Sequence, residues 1–169
     1  MKWIWIVLGT LAGLVAIMAL VGAMLPVGHV ASRRARYRQT PEAIWAAIDG
    51  PQDWRPEFGH YELLPERDGR RVWREDIGRD RITFERVAAD PPRRLETRIA
   101  QTGLPFGGGW VYEIAPGEGG CEVRITERGE VYNVFFRFIS RFIMGHASSI
   151  EQSLGALGKK FGEDVRIEE

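Results

Sequence analysis

The apolar pattern of residues 132–162 constrains the fold more than any other part of the sequence. Large apolar residues recur there at intervals of three, four and eight, at Phe135, Phe138, Phe142, Ile150, Leu154, Leu157 and Phe161. This spacing places them on one face of an amphipathic α-helix, which at 1.5 Å per residue would be roughly 45 Å long. Since so long an apolar face needs a broad surface to cover it, the sequence predicts a long C-terminal helix packed against a sheet.

The chain before this helix has the pattern of seven short strands. Apolar and polar residues alternate within them, as at Trp110, Tyr112 and Ile114, and turn residues separate them. The predicted strands are residues 30–39, 61–64, 71–77, 81–89, 94–101, 109–115 and 121–130. Thr40 and Pro41 suit the start of a helix after the first strand, and a second helical turn is expected at residues 52–54. The predicted fold is α+β, a curved seven-stranded antiparallel sheet around a long C-terminal helix.

Residues 3–25 form an uncharged apolar run of about the length that a helix needs to cross a bilayer. Trp3 and Trp5 would lie at the membrane interface, and Pro26 ends the run. We therefore predict a single transmembrane anchor in residues 1–26 and a globular domain in residues 27–169. The length favours a retained anchor, and the alternative is a signal peptide cleaved after Ala23.

Basic residues close to the apolar run bear on the side of the membrane that the domain occupies. Four arginines lie within fifteen residues of its end, Arg33, Arg34, Arg36 and Arg38. Because positive charge concentrates on the cytoplasmic side, we expect a single-pass protein with a cytoplasmic domain. Only a few residues separate Pro26 from the first strand, so the domain is expected to lie close to the bilayer.

Charge and motif content exclude several classes of function. The 23 basic and 23 acidic residues balance, so there is no overall positive field to recruit nucleic acid. Cys121 is the only cysteine and is expected in a buried strand, and the three histidines lack the spacing of a metal site. There is no G-x-S-x-G motif, and the glycines at 107–109 precede a strand instead of a helix, unlike a phosphate loop. The sequence predicts no metal, no cofactor and no assignable catalytic residue.

Three stretches of the sequence resemble a known family: residues 40–45, residues 109–114, and residues 125–138. They are similar to the START/polyketide-cyclase/birch-pollen-allergen superfamily, SRPBCC, in its polyketide cyclase/dehydrase and lipid-transport branch, and the likeness covers residues 30–161. It implies a helix-grip fold with a cavity between sheet and helix that binds apolar or amphipathic ligands; a few such relatives are enzymes. The predicted N-terminal membrane span departs from the family pattern, since most soluble relatives lack it. A protein anchored in this way would not diffuse freely through the cytosol with its ligand.

The resemblance gives a set of candidate cavity residues. They are large residues on the strands and the long helix: Trp73, Phe84, Ile99, Trp110, Tyr112, Phe138, Phe142 and Ile143. His146, on the apolar face among small residues, would be a polar handle for the ligand; the alternative is a core histidine bonded to a carbonyl or an acid. A solid core would also explain the apolar set. Glu127 suits a surface ion pair better than a catalytic acid, and Leu104, Pro105 and Phe106 form either buried packing or a lid.

We expect a membrane-anchored binding or carrier protein for a lipid-like or other apolar small molecule. The alternatives are a cyclase- or dehydrase-like enzyme acting on an aromatic or polyketide-like substrate, and an interaction module that holds no ligand. The structure of the protein interior distinguishes these three functions. A solid core favours the module, an apolar cavity favours the carrier, and a cavity with a cluster of histidine, acid and tyrosine favours the enzyme. The sequence does not indicate the ligand or the oligomeric state.

Overall fold

A computed structural model describes residues 2–169, which form one open antiparallel sheet and four α-helices. The N-terminal part comprises α1 (Lys2–Met24), β1 (Gly28–Tyr37) and α2 (Pro41–Ile48). Six strands follow: β2 (Phe58–Arg67), β3 (Arg70–Ile77), β4 (Asp80–Asp90), β5 (Arg94–Ile99), β6 (Phe106–Gly117) and β7 (Gly120–Val131). The C-terminal part comprises α3 (Val134–Ile139), a π-helical turn (Ser140–Met144), α4 (Ser148–Lys160) and β8 (Ile167–Glu168).

All seven predicted strands are present, and together with β8 they form a single sheet in the order β2-β3-β4-β5-β6-β7-β1-β8. The chain after α4 adds β8, which pairs with β1 through Arg34 and Ala35. The predicted α+β class with a curved antiparallel sheet and C-terminal helices is confirmed. The sheet does not close, since β2 and β8 remain its two edges.

The predicted helix after β1 begins as its sequence indicates. Thr40 is the N-cap, and its Oγ1 accepts a hydrogen bond of 3.3 Å from the amide of Ala43. Ile44 and Ile48 of this helix are buried in the core. The second helical turn expected at residues 52–54 is only a hydrogen-bonded turn.

The core lies between the sheet and α4. Ile150, Leu154 and Leu157 of α4 are fully buried in one cluster with β7 residues such as Val123 and Ile125. The hydroxyl of Tyr37 donates a 2.8 Å hydrogen bond to the carbonyl of Leu154, fixing the helix to β1, and burial raises the pKa of that hydroxyl. Cys121 is buried on β7, as its strand pattern indicates, and burial raises its pKa to about 11.

The prediction of one continuous helix over residues 132–162 is wrong. Gly145 has φ +78° and ψ 145° and separates the π-helical turn from α4. A residue in that conformation cannot continue a right-handed helix, and glycine adopts it without steric cost. The 13 residues of α4 therefore cover the sheet, whereas α3 and the π-helical turn lie elsewhere.

The upstream piece packs against α1 instead of the sheet. Gly22 is the buried residue of α1, and a Cβ there would overlap the carbonyl of Val134 at the start of α3. The guanidinium of Arg137 donates a 2.8 Å hydrogen bond to the carbonyl of Leu25, just past the end of α1. A cation suits this position because the carbonyls at a helix C-terminus lack intrahelical partners and carry partial negative charge.

This packing predicts the effect of enlarging Gly22. We expect Gly22→Leu to push α3 away from α1, so that trypsin cleaves the full-length protein after Arg137 several-fold faster than in the unmodified chain. Gly13→Leu is the matched control, because nothing lies within 4 Å of a Cβ at that position. Timed proteolysis followed by mass spectrometry measures the rate. Equal cleavage rates for the two variants would show that the contact does not hold α3.

Candidate functional site

A partly open pocket of about 370 Å³ lies between strands β3–β7 and the N-terminal end of α4. Its walls are largely aromatic and aliphatic, and the large apolar residues that line it are Trp73, Ile77, Ile82, Phe84, Ile99, Phe106, Trp110 and Tyr112. The volume falls within the range of about 300–1,000 Å³ that is typical of small-molecule sites. The interior next to α4 is therefore not solid.

The structure brings together five of the nine residues that the sequence suggested for a cavity. Trp73, Phe84, Ile99, Trp110 and Tyr112 all line the pocket. They come from four different strands, and the ring of Trp73 stacks on that of Phe84 with 5.8 Å between centroids.

The other predicted residues lie outside the pocket, and for three of them this corrects the prediction. Phe138, Phe142 and Ile143 precede Gly145 and so belong to the part of the segment that leaves the sheet. Phe142 and Ile143 are exposed. His146 stands beside the pocket: its ring stacks on that of His29, a pocket residue, with 4.0 Å between centroids.

Glu127 organises a polar cluster at one side of the pocket. One of its carboxylate oxygens accepts hydrogen bonds of 3.0 Å from the indole of Trp110 and 3.0 Å from the hydroxyl of Ser149. The other oxygen lies 3.4 Å from Nε2 of His29. The carboxylate is thus held by three different elements, β6, α4 and β1, and is mostly shielded from solvent.

Sheet register explains why the sequence pattern did not reveal this cluster. Trp110 lies opposite Glu127 in the β6–β7 pairing, and His29 lies opposite Gly129 in the β1–β7 pairing. A Cβ at Gly129 would overlap the ring of His29, so the glycine makes room for the imidazole to lie over the strand. The three partners of Glu127 are distant from it in sequence, and no local spacing could have indicated them. Glu127 is not the surface ion pair that the sequence favoured.

The environment of His146 favours its neutral form. Burial lowers its pKa, and the neighbouring His29 and Arg141 lower it further, while Glu127 acts in the opposite direction. Its Nδ1 is buried and has no hydrogen-bond partner within residues 2–169. A buried nitrogen of this kind is available to a ligand or to water.

A second polar cluster surrounds Glu75 at the base of the pocket. This buried carboxylate forms an ion pair with Arg55 and accepts a 2.8 Å hydrogen bond from the indole of Trp73. Burial raises the pKa of nearby Tyr112 to about 12, so its hydroxyl stays protonated. Arg55 Nε and Gln52 Oε1 are buried without partners in the described part of the chain, and both residues line the pocket.

A wider depression of about 590 Å³ shares part of this wall but has a different character. Charged side chains such as Arg67, Arg70 and Glu85 line it, and the buried Glu85 pairs with Arg70 and Arg98. Ion pairs of this kind already satisfy one another. The smaller, aromatic pocket is therefore the better site for an apolar ligand. Residues 2–169 contain no group of three or more His, Cys, Asp or Glu placed to hold a metal ion.

The chain belongs to the polyketide cyclase/dehydrase and lipid transport family, whose pattern matches residues 31–162. This confirms the SRPBCC resemblance. No curated protein matches the sequence significantly.

Solved structures share the fold at low sequence identity. A conserved protein from Geobacillus kaustophilus superposes with a TM-score of 0.63 and 15% identity, covering 83% of this chain and 100% of its own. Norcoclaurine synthase from Thalictrum flavum superposes with a TM-score of 0.60 and 13% identity, and the match covers 81% of this chain and 95% of the synthase. The di-domain ARO/CYC StfQ of the steffimycin biosynthetic pathway superposes with a TM-score of 0.61 and 11% identity. The match covers 78% of this chain but only 50% of StfQ.

The histidine pair gives a prediction that NMR titration can check. Replacing His29 with Asn removes the neighbouring imidazole that lowers the pKa of His146, so we expect the pKa of His146 to rise. Glu127→Gln removes the opposing carboxylate charge, so the pKa should fall further. His60, on β2, provides an internal reference. If neither variant moved the titration of His146, the two rings and the carboxylate would not be coupled in solution.

The same shift sets the sign of a pH effect on stability. The pKa of His146 in the folded state lies below its ordinary 6.5, so the unfolded chain takes up the proton more readily. The contribution of His146 to the free energy of unfolding is therefore complete above pH 6.5 and is lost as the pH falls from 6.5 toward the folded-state pKa. In His146→Gln this part of the pH dependence should be absent from thermal unfolding curves.

Proposed function

We propose that this protein binds an apolar small molecule carrying a polar group, such as a lipid-like compound, in the aromatic pocket, and that α1 anchors it in a membrane. The observation that carries the proposal is the combination of apolar walls with buried polar atoms of Arg55 and Gln52 that have no hydrogen-bond partner within residues 2–169. Such a surface would bind a ligand that buries apolar area and forms one or two hydrogen bonds. An open pocket does not fit the solid interior that a ligand-free interaction module would have.

Apolar burial would provide most of the binding free energy. At about 25 cal/mol per Å², a ligand that buries about 200 Å² of apolar surface would gain about 5 kcal/mol before the costs of association. The Tyr112 hydroxyl, which stays protonated, would donate to an oxygen of the ligand, and Arg55 would orient an acceptor or an anion. Polar contacts of this kind fix orientation more than they raise affinity.

The exposure of α1 supports the anchor. The helix is long and apolar enough to cross a membrane, and none of its most apolar stretch is buried in the protein. A core helix of a water-soluble protein would be covered. We propose a retained single-pass anchor with the domain in the cytoplasm. Intact-mass measurement of the protein from isolated membranes tests retention against cleavage after Ala23, and a reporter fused at Glu169 that is active only outside the cytoplasm would overturn the proposed side.

A pocket-filling variant tests the ligand site. We expect full-length protein released from detergent in a native mass spectrometer to carry a co-purified apolar molecule, identified by extraction. Ile99→Trp should abolish that extra mass, because Ile99 lines the pocket and the indole would occupy the space. Thr83→Trp is the matched control: Thr83 follows the pocket residue Ile82 on β4, opposite the region of Ile99, and its side chain faces the other side of the sheet. Absence of any bound molecule in the unmodified protein, or its retention in Ile99→Trp, would contradict the proposal.

The cluster around Glu127 favours a second candidate function, an enzyme of the cyclase or dehydrase type. A carboxylate, an imidazole, a serine hydroxyl and the buried Tyr112 converge on one pocket, which is the arrangement that acid–base catalysis requires. Glu127, held in place by His29, would accept a proton from a carbon or hydroxyl of the substrate and become neutral. The negative charge would remain on the substrate, where the Tyr112 hydroxyl would donate a hydrogen bond to it. Aromatase/cyclase and norcoclaurine synthase structures share the fold.

Kinetics of a charge-removing variant separate this enzyme from a carrier. If a substrate from a panel of aromatic polyketide-like compounds is turned over, Glu127→Gln should lower kcat by about 10²–10⁴-fold, the usual contribution of a general base. The affinity for that compound should change little, since the amide retains an acceptor for Trp110. Glu151→Gln, on the surface of α4 beside Arg33, is the control. If the unmodified protein binds a compound but does not turn it over, the result supports the carrier function and contradicts the enzyme.

A further inference from the structure

The segment between Asn133 and Gly145 exposes an unusual amount of apolar surface. We call α3 and the π-helical turn together, residues 134–144, the interfacial segment. Its exposed large side chains are 36–70% accessible, and they are Phe135, Phe136, Phe142, Ile143 and Met144. Phe138 packs on Phe142 within the segment, with 5.0 Å between ring centroids. Contiguous apolar surface of this size on a folded domain marks a site of interaction.

The charge of the interfacial segment has one sign. No Asp or Glu occurs between Glu130 and Glu151, whereas Arg137 and Arg141 lie within the segment. Arg137 is bonded to the end of α1, but Arg141 is exposed and forms no ion pair within residues 2–169. Aromatic and aliphatic side chains beside arginines are the composition of helices that lie in a membrane interface, and exposed arginines attract anionic headgroups.

The position of the segment is fixed by its packing on α1. Val134 contacts Gly22, which lies three residues before Leu25, or about 5 Å along the helix axis. If α1 spans the bilayer, Val134 therefore lies at the depth where hydrocarbon meets headgroups. Interfacial helices bury their apolar face about 5–10 Å into that boundary.

We propose that the interfacial segment inserts its phenylalanines, Ile143 and Met144 into the surface of the same bilayer that α1 crosses, with Arg141 at the phosphate level of anionic lipids. This inference rests on the anchor of the proposed function. The bilayer is the occupant because the apolar surface is continuous with α1 and carries positive charge. A second copy of this chain would bring the same positive charge against itself.

The insertion would also place the pocket at the membrane. Phe106, Gly107 and Val131 line the pocket at the end of β6 and β7 from which α3 departs. The amide of Tyr132 donates a 2.9 Å hydrogen bond to the carbonyl of Pro105 on the adjoining loop. Only a few residues of chain thus separate the pocket from the membrane-inserted residues. An apolar ligand that moves between the bilayer and the pocket would therefore cross only a short distance through water.

Site-directed spin labelling of the full-length protein tests the insertion. One label per protein is placed at Ile143, at Leu14 in α1 or at Glu118, each in a Cys121→Ala background. Each protein is reconstituted in vesicles of phosphatidylcholine with a minor share of phosphatidylglycerol. Glu118 is the control, because it is exposed in the β6–β7 turn at the opposite end of those strands from α3. The side chains at 143 and 118 are exposed, so labels there do not disturb the core. Because Cys121 is buried, circular dichroism of the unlabelled Cys121→Ala protein checks that the background folds like the unmodified chain.

We expect the label at 143 to be several-fold more accessible to oxygen and several-fold less accessible to a water-soluble nickel chelate than the label at 118. A label at 143 as open to nickel as that at 118, with Leu14 shielded, would overturn the insertion but leave the anchor. A label at Leu14 open to nickel would overturn the anchor itself. Shielding at 143 from both reagents, with dipolar broadening between labels, would indicate contact between two copies and would also overturn the insertion.

The role of Arg141 gives a second readout. In vesicles of phosphatidylcholine alone, we expect the label at 143 to become more accessible to nickel than in vesicles with phosphatidylglycerol. Arg141→Gln should abolish that difference between the two compositions. A difference that persists in Arg141→Gln would show that Arg141 does not contact the anionic lipid.

Discussion

The packing of α4 on the sheet is the interaction on which the rest of the structure depends. Ile150, Leu154 and Leu157 are fully buried against the strands, and the hydroxyl of Tyr37 fixes the helix to β1. These contacts hold the N-terminal end of α4 at the edge of the pocket, and with it Ser149 and the neighbouring His146. Beyond that end, strands β3–β7 and the loop that carries Gln52 and Arg55 enclose the pocket. The position of α4 on the curved sheet thus determines both part of the core and one margin of the cavity.

The polar cluster at Glu127 follows from the order of the strands. Placing β7 between β6 and β1 brings Trp110 and His29 to one carboxylate from opposite sides, and α4 adds Ser149 from above. Each donor removes part of the cost of burying the charge. A carboxylate held in this way at the wall of an apolar pocket suits either recognition of a polar group on a ligand or transfer of a proton.

Three features of the molecule meet at one end of the sheet. They are the end of α1, the start of α3 and the margin of the pocket at Phe106 and Val131. A hydrogen bond joins the first two through Arg137 and Leu25, and only a few residues of chain separate α3 from the pocket margin. The bond between the amide of Val131 and the carbonyl of Val27 joins the segment after α1 directly to the end of β7. Under the proposed anchor and ligand site, apolar molecules would pass between lipid and pocket at this end of the domain, while the opposite end stays in water.

Local sequence patterns were sufficient for the strands, the Thr40 cap and the apolar N-terminal helix, because alternation, capping and hydropathy act over a few neighbouring residues. The family was indicated by the resemblance of three stretches, residues 40–45, 109–114 and 125–138, and its pattern matches residues 31–162. The expectation of a cavity came from the family resemblance, and five residues named on that basis line the pocket: Trp73, Phe84, Ile99, Trp110 and Tyr112. The break at Gly145 was missed because the apolar spacing continues across it: one half of that face is buried on the sheet and the other lies beside α1, and periodicity does not distinguish the two. Phe138, Phe142 and Ile143 were therefore assigned to the wrong surface. The cluster of Glu127, His29, Trp110 and Ser149, like the α1–α3 contact at Gly22, exists only in the tertiary structure, since strand register and helix docking bring together residues that are far apart in the chain.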